Sequence, residues 1–99
     1  MALELDTFKY EVAVVPVKAD GQAVEVRAEC GDITFINLSA VTCYIGVFPL
    51  LAGASFTFSA NRYEYNTTVY QVRVGVVSTD NLTIYVLRKV YTGKKIIVQ

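Results

Sequence analysis

The chain has 99 residues, nine basic and nine acidic side chains, no histidine, two cysteines and a hydrophobic content of 54%. That length makes a single domain, residues 1–99, and the apolar content argues against disorder. Zero net charge argues against nucleic acid as a partner, and the missing histidine removes the commonest general base, the Ser-His and Cys-His nucleophile systems and most transition-metal sites.

Residues 1–6 lack the basic start and apolar stretch of a secretory signal. Residues 7–18 place Tyr10, Val12 and Val14 on one parity and Lys9, Glu11, Ala13 and Val15 on the other, the pattern of a half-buried strand. Pro16 cannot donate to a ladder and marks an end, a bulge or an edge. Asp20-Gly21 is a hairpin signal leading into residues 22–29, where Val24, Val26 and Ala28 alternate with Glu25, Arg27 and Glu29. Gly31-Asp32 reads as the next turn, followed by strands at 33–38 and 41–48. Pro49 and Gly53 bracket a bend, after which Phe56 and Phe58 share one strand face. Residues 61–66 form a polar loop carrying tyrosines, residues 67–77 alternate again, and Asp80-Asn81 turns the chain into 82–91. Thr92-Gly93 is expected to turn it once more into 94–99.

About eight short strands with turn signals near every tenth residue, and no segment of period 3.6, predict an all-β fold. The expected architecture is an antiparallel β-sandwich, jelly-roll-like, with a closed barrel as the alternative. The absence of tryptophan and the closeness of Cys30 and Cys43 in sequence argue against an immunoglobulin-type domain. The expected core is Val24, Val26, Phe35, Ile45, Phe56, Phe58, Val72, Val74 and Ile84. Mean hydropathy is high for a small domain, which implies either a very full core or a face that a partner covers. No apolar run reaches the roughly 18 residues of a membrane helix, so no membrane partner is expected.

The chemistry is mostly absent. The glycines form no phosphate-binding loop, the cysteines lack metal-site spacing, and the acids alternate outward or sit at turns. Neither catalysis nor a cofactor or metal is expected. Three of the four asparagines fall in glycosylation-type triplets (Asn37, Asn66 and Asn81), read as turn asparagines beside strand residues. The basic run from Arg88 to Lys95 reads as a solvated hairpin whose lysines guard an edge strand.

Interaction residues remain. Tyr63 and Tyr65 share a parity in the loop, with Arg62 beside them; such residues cap a sandwich, centre a protein interface or stack on a sugar. Residues 1–32 carry seven acids and three bases, including Glu4 and Asp6, whereas residues 82–99 carry four bases and no acid, including Lys94 and Lys95. Either the first and last strands are neighbours and balance each other, or opposite ends of different copies attract.

The series Asn37-x-x-x-Val41-x-x-Tyr44-Ile45-Gly46, Leu50-x-x-Gly53-x-Ser55-Phe56-Thr57-Phe58 and Thr68-x-Tyr70-x-Val72 resembles small β-domains of tailed-bacteriophage virions. In those a strand, a Leu-x-Pro-Gly-x-Ser turn, a Phe-rich strand and a Tyr-x-Val strand follow in that order. The likeness spans about a third of the chain and departs from the pattern at Ala52, where proline is usual, and at Ala54, where an acid or glutamine is usual. It implies a virion structural protein, made in the host cytoplasm, that binds its own copies or other virion proteins as a capsid-associated or decoration module. No functional residue is carried over with it. The alternatives are a carbohydrate- or surface-binding module using Tyr63 and Tyr65, and a β-sandwich adaptor.

Overall fold

The computed structural model describes residues 2–61, 64–75 and 82–99. Eight strands follow in chain order: β1 (Leu3–Val17), β2 (Val24–Arg27), β3 (Ile33–Asn37), β4 (Cys43–Ile45), β5 (Phe48–Leu50), β6 (Ser55–Phe58), β7 (Val69–Val74) and β8 (Leu82–Val98). No helix occurs among the described residues. The chain behaves as one long hairpin whose tip is Gly46, held at φ +62°, a left-handed conformation that glycine adopts without a Cβ penalty. From that tip β4 pairs with β5, β3 with β6, β2 with β7 and β1 with β8, all antiparallel. The pairs alternate between two sheets of order β1-β8-β3-β6 and β2-β7-β4-β5, the strand order of a jelly roll.

Cross-strand rows explain where the core lies. In the first sheet Ala13–Val86–Phe35–Phe56 and Val15–Ile84–Asn37 line up across the strands and point inward. In the second, Val24–Val72–Ile45–Phe48 and Val74–Cys43–Leu50 face them. Phe35, Ile84, Val86, Val72 and Cys43 are fully buried. The Phe35 ring meets Phe58 and Tyr70 edge-on, at centroid distances of 5.9 and 5.2 Å, an arrangement that favours the quadrupoles of both rings.

Several expectations from sequence are corrected. Phe56 lies on the inward row but on the edge strand β6, so it is 38% exposed at the rim, 4.5 Å from the Phe48 ring, instead of in the core. Phe58 and Val24 are only partly buried for the same marginal placement. Residues 41–48 form two strands, not one, because Gly46 reverses the chain within them. Asp20-Gly21 does turn the chain, but β1 and β2 belong to different sheets, so the turn is a crossover and not a hairpin. The Thr92-Gly93 turn does not exist. β8 runs straight through it as a bulge, with Gly93 at φ +76° and the register against β1 shifting between Asp6 and Phe8. Thr7 and Thr92 bond through their hydroxyls across that bulge, and Thr7 Oγ1 donates to the Lys94 carbonyl at 3.0 Å.

Fusing two expected strands into one gives the molecule its shape. β1 has 15 residues and β8 has 17, whereas the other strands have three to six. The surplus projects as a two-stranded ribbon and stretches the molecule to 59 × 19 × 16 Å. The radius of gyration is 16.1 Å, against about 12.6 Å for a compact chain of this length.

Candidate protein interaction surface

A strand shows alternate side chains to its two faces, so the depth of the second sheet decides which apolar residues of β1 are covered. Ala13, Val15 and Val17 face the core. Tyr10, Val12 and Val14, on the other parity, are 61%, 64% and 59% exposed. Sequence periodicity finds that parity but not its direction, and the residues that look most like core are the outer ones. They extend across the sheet in two rows, Val12–Leu87–Thr34–Thr57 and Val14–Tyr85–Ile36–Ser55. The result is an apolar sheet face with a threonine pair, Thr34 and Thr57, hydrogen-bonded at 2.8 Å on one side.

The ribbon adds a second apolar surface, on the opposite parity of β1. Leu3 lies opposite Val98 and Leu5 opposite Ile96, four exposed aliphatic side chains on one of its faces. The other face places Glu4 opposite Ile97 and Asp6 opposite Lys95. Lys95 Nζ approaches Glu4 at 4.0 Å and Asp6 at 3.8 Å. The acidic and basic segments therefore balance within one ribbon, and the expected attraction between opposite ends of different copies loses these charges. Such exposed pairs hold little energy. At the base of the ribbon, Lys89 Nζ sits 4.3 Å from the Phe8 ring centroid, and Phe8 meets Tyr10 edge-on at 5.5 Å.

Four of the residues singled out from sequence come together. Asp6, Tyr65, Lys94 and Lys95, with Glu64 and Tyr91, line a cleft of about 260 Å³ where the ribbon leaves the sandwich. Tyr65 is 60% exposed there. Glu4 is joined to the group only through Lys95, and Arg62 and Tyr63 lie outside the described residues. The cleft sets both signs of charge beside two phenol rings. The basic run from Arg88 to Lys95 is likewise no hairpin, since it lies within strand β8, which pairs with β1 on both sides of the bulge. Arg88 is spent internally: Nε and Nη2 donate to the Arg27 carbonyl at 3.0 and 2.8 Å, tying the two sheets together.

Two of the asparagines bond within the fold. Asn37 is fully buried and donates through Nδ2 to the carbonyls of Val41 and Leu50 at 2.8 and 2.9 Å. Asn66 Oδ1 accepts the Thr68 N–H at 2.9 Å and its amide donates to the Tyr70 hydroxyl, so both behave as the turn asparagines expected. Asn81 lies outside the described residues. Cys30 and Cys43 are free and buried. Burial pushes both thiols up, opposed at Cys30 by the Arg88 charge and at Cys43 by a hydrogen bond from Ser39. Among the described residues no three His, Cys, Asp or Glu side chains gather as metal ligands. No family model, curated protein or solved structure matches the chain.

Proposed function

We propose that this protein is a non-enzymatic structural subunit that works by binding its own copies or neighbouring proteins, as a capsid-associated or decoration protein of a phage particle. One observation carries the assembly part of the reading: the apolar outer face of Tyr10, Val12 and Val14 has no cover within the described chain. Leaving so much apolar surface in water costs about 25 cal/mol per Å², and a partner recovers it. The placement on a virion rests on the resemblance of the Asn37–Val72 series, and the jelly-roll strand order is compatible with it, since that architecture serves capsid and lectin domains alike. Fold alone does not choose between them. A glycan-binding role at the Tyr65–Tyr91 cleft is the second reading, favoured by the exposure of Tyr65.

Sedimentation of the purified protein over a wide concentration range tests the assembly reading. The expected result is association that Val12→Glu with Val14→Glu abolishes while the melting curve stays in place. A wild-type protein that sediments as a monomer at every concentration overturns it. Glycan binding lost in Tyr65→Ala, with no association at all, favours the second reading.

A further inference from the structure

The ladder geometry shows which part of β1 is open to a partner. Lys89 bonds away from β1, donating its N–H to the Asp32 carbonyl at 2.8 Å and accepting the Gly31 N–H at 2.8 Å. Tyr10, directly opposite Lys89, is therefore in a pair that exchanges no hydrogen bonds with β8. Its own N–H and carbonyl point outward from the sheet edge, and so do those of Phe8, Val12 and Val14 by the period of two. β1 is the edge strand, and the extra residues of the ribbon bulge are on β8: Asp6 and Phe8 flank one residue where Lys95 and Tyr91 flank three. The open edge of β1 thus runs without an insertion. Natural proteins seldom leave a long apolar edge unpaired.

The sequence of that edge is complementary to itself. An antiparallel copy centred on Tyr10 places Lys9 opposite the partner's Glu11 and Glu11 opposite the partner's Lys9. The same register sets Phe8 against Val12, Leu5 against Val15 and Leu3 against Val17. Within one chain Lys9 Nζ lies 3.5 Å from Glu11, so both side chains already occupy the same face. Tyr10 is also the midpoint of β1, Leu3–Val17, so this register overlaps the whole strand. A register pairing Lys9 with Asp6 instead sets Glu4 against Glu11. Pro16 has no N–H to give, which limits the outward ladder on that side and leaves Asp6–Val14 as the paired stretch, itself centred on Tyr10. Nine residues at about 3.4 Å each make a ladder about 30 Å long, and with a sheet about 10 Å thick the buried area is on the order of 600 Å² over both copies, the size of a weak, reversible contact.

We infer that the partner of β1 is β1 of a second copy, paired antiparallel about a two-fold axis through Tyr10, so that the β1-β8-β3-β6 sheets of two molecules join into one eight-stranded sheet. This rests on the assembly reading above and names the contact between copies: the strand edges join, and the apolar outer faces, side by side in the joined sheet, stay open to neighbouring proteins. Paired residues that exchange hydrogen bonds across such an axis have Cα atoms about 5.5 Å apart, within the span of a disulfide.

Two experiments test it alongside sedimentation of the wild type. Tyr10→Cys is expected to cross-link to itself under mild oxidation. Lys9→Cys is expected to cross-link with Glu11→Cys when the two are mixed, and weakly or not at all with itself. Native Cys30 and Cys43 are buried and do not compete. In the second experiment, Lys9→Glu is expected to weaken association roughly tenfold by setting like charges opposite each other at two places, and Lys9→Glu with Glu11→Lys to restore it. If the wild type associates but these cross-links fail and the charge swap restores nothing, the copies meet elsewhere and only this inference falls. If the wild type never associates, both it and the assembly reading fall.

Discussion

Replacing Asn37 by alanine is expected to be among the costliest single changes in the molecule, although this residue has no part in the interaction surface. Asn37 ends β3 with its side chain fully buried. Its Nδ2 donates to the Val41 and Leu50 carbonyls at 2.8 and 2.9 Å, with Leu51 further off at 3.3 Å, and Oδ1 accepts from the Ser39 N–H at 3.0 Å and hydroxyl at 2.6 Å. The loop after β3 and the end of β5 are thereby fastened to one amide. Each bond contributes about 1 kcal/mol net. Counting four bonds, Asn37→Ala should lose about 4 kcal/mol, against about 5–15 kcal/mol for a whole domain. For a chain of this size that is a fall of roughly 15–30 °C in midpoint. Urea unfolding followed by far-UV circular dichroism measures it as a lower midpoint at constant slope. Asn37→Asp, the same shape without the donors, should be no better, because it points a carboxylate at three carbonyl oxygens. An Asn37→Asp protein as stable as wild type, or a loss below about 1 kcal/mol in Asn37→Ala, refutes this reasoning.

Two further outcomes follow from burial. Phe35→Ala should cost about 3–5 kcal/mol because Phe35 is fully enclosed, whereas Phe56→Ala, at the rim, should cost at most about half of that; equal losses in urea melts would contradict the placement of β6. Because burial raises both thiol pKa values in the folded chain, the unfolded chain releases those protons first, near about 8.5. Stability is therefore complete below that pH and is lost as pH rises through it towards the folded values. The thermal midpoint should fall on the alkaline side, and by less in Cys30→Ala with Cys43→Ala; an identical pH slope in that variant would contradict it.

Strand content and fold class were legible from periodicity because each short strand has one covered face and one wet face. Val26, Phe35, Val72, Val74 and Ile84 were found in the core on that basis alone. Periodicity is silent on direction, however, and β1 shows the consequence: Tyr10, Val12 and Val14 alternate correctly and point outward. Which face is covered depends on the second sheet, whose strands lie far away in sequence. Thr92-Gly93 misleads for a related reason. A glycine at positive φ serves a turn or a bulge equally well, and only the pairing of Phe8 with Tyr91 and Asp6 with Lys95 decides for the bulge. The gathering of Asp6, Lys94 and Lys95 at one cleft is likewise a product of the β1–β8 register, which local composition does not encode.

The central claim is that the outer edge of β1 is the surface at which molecules meet, and residue-resolved amide hydrogen exchange tests it most directly. The N–H groups of Lys9, Glu11 and Ala13 bond to β8 and should be protected in every state, whereas those of Phe8, Tyr10, Val12 and Val14 point outward. In dilute protein the outward set should exchange quickly, and on concentration it should become as slow as the inward set, residue by residue about Tyr10. Outward amides that exchange equally fast in dilute and in associated protein would contradict the account.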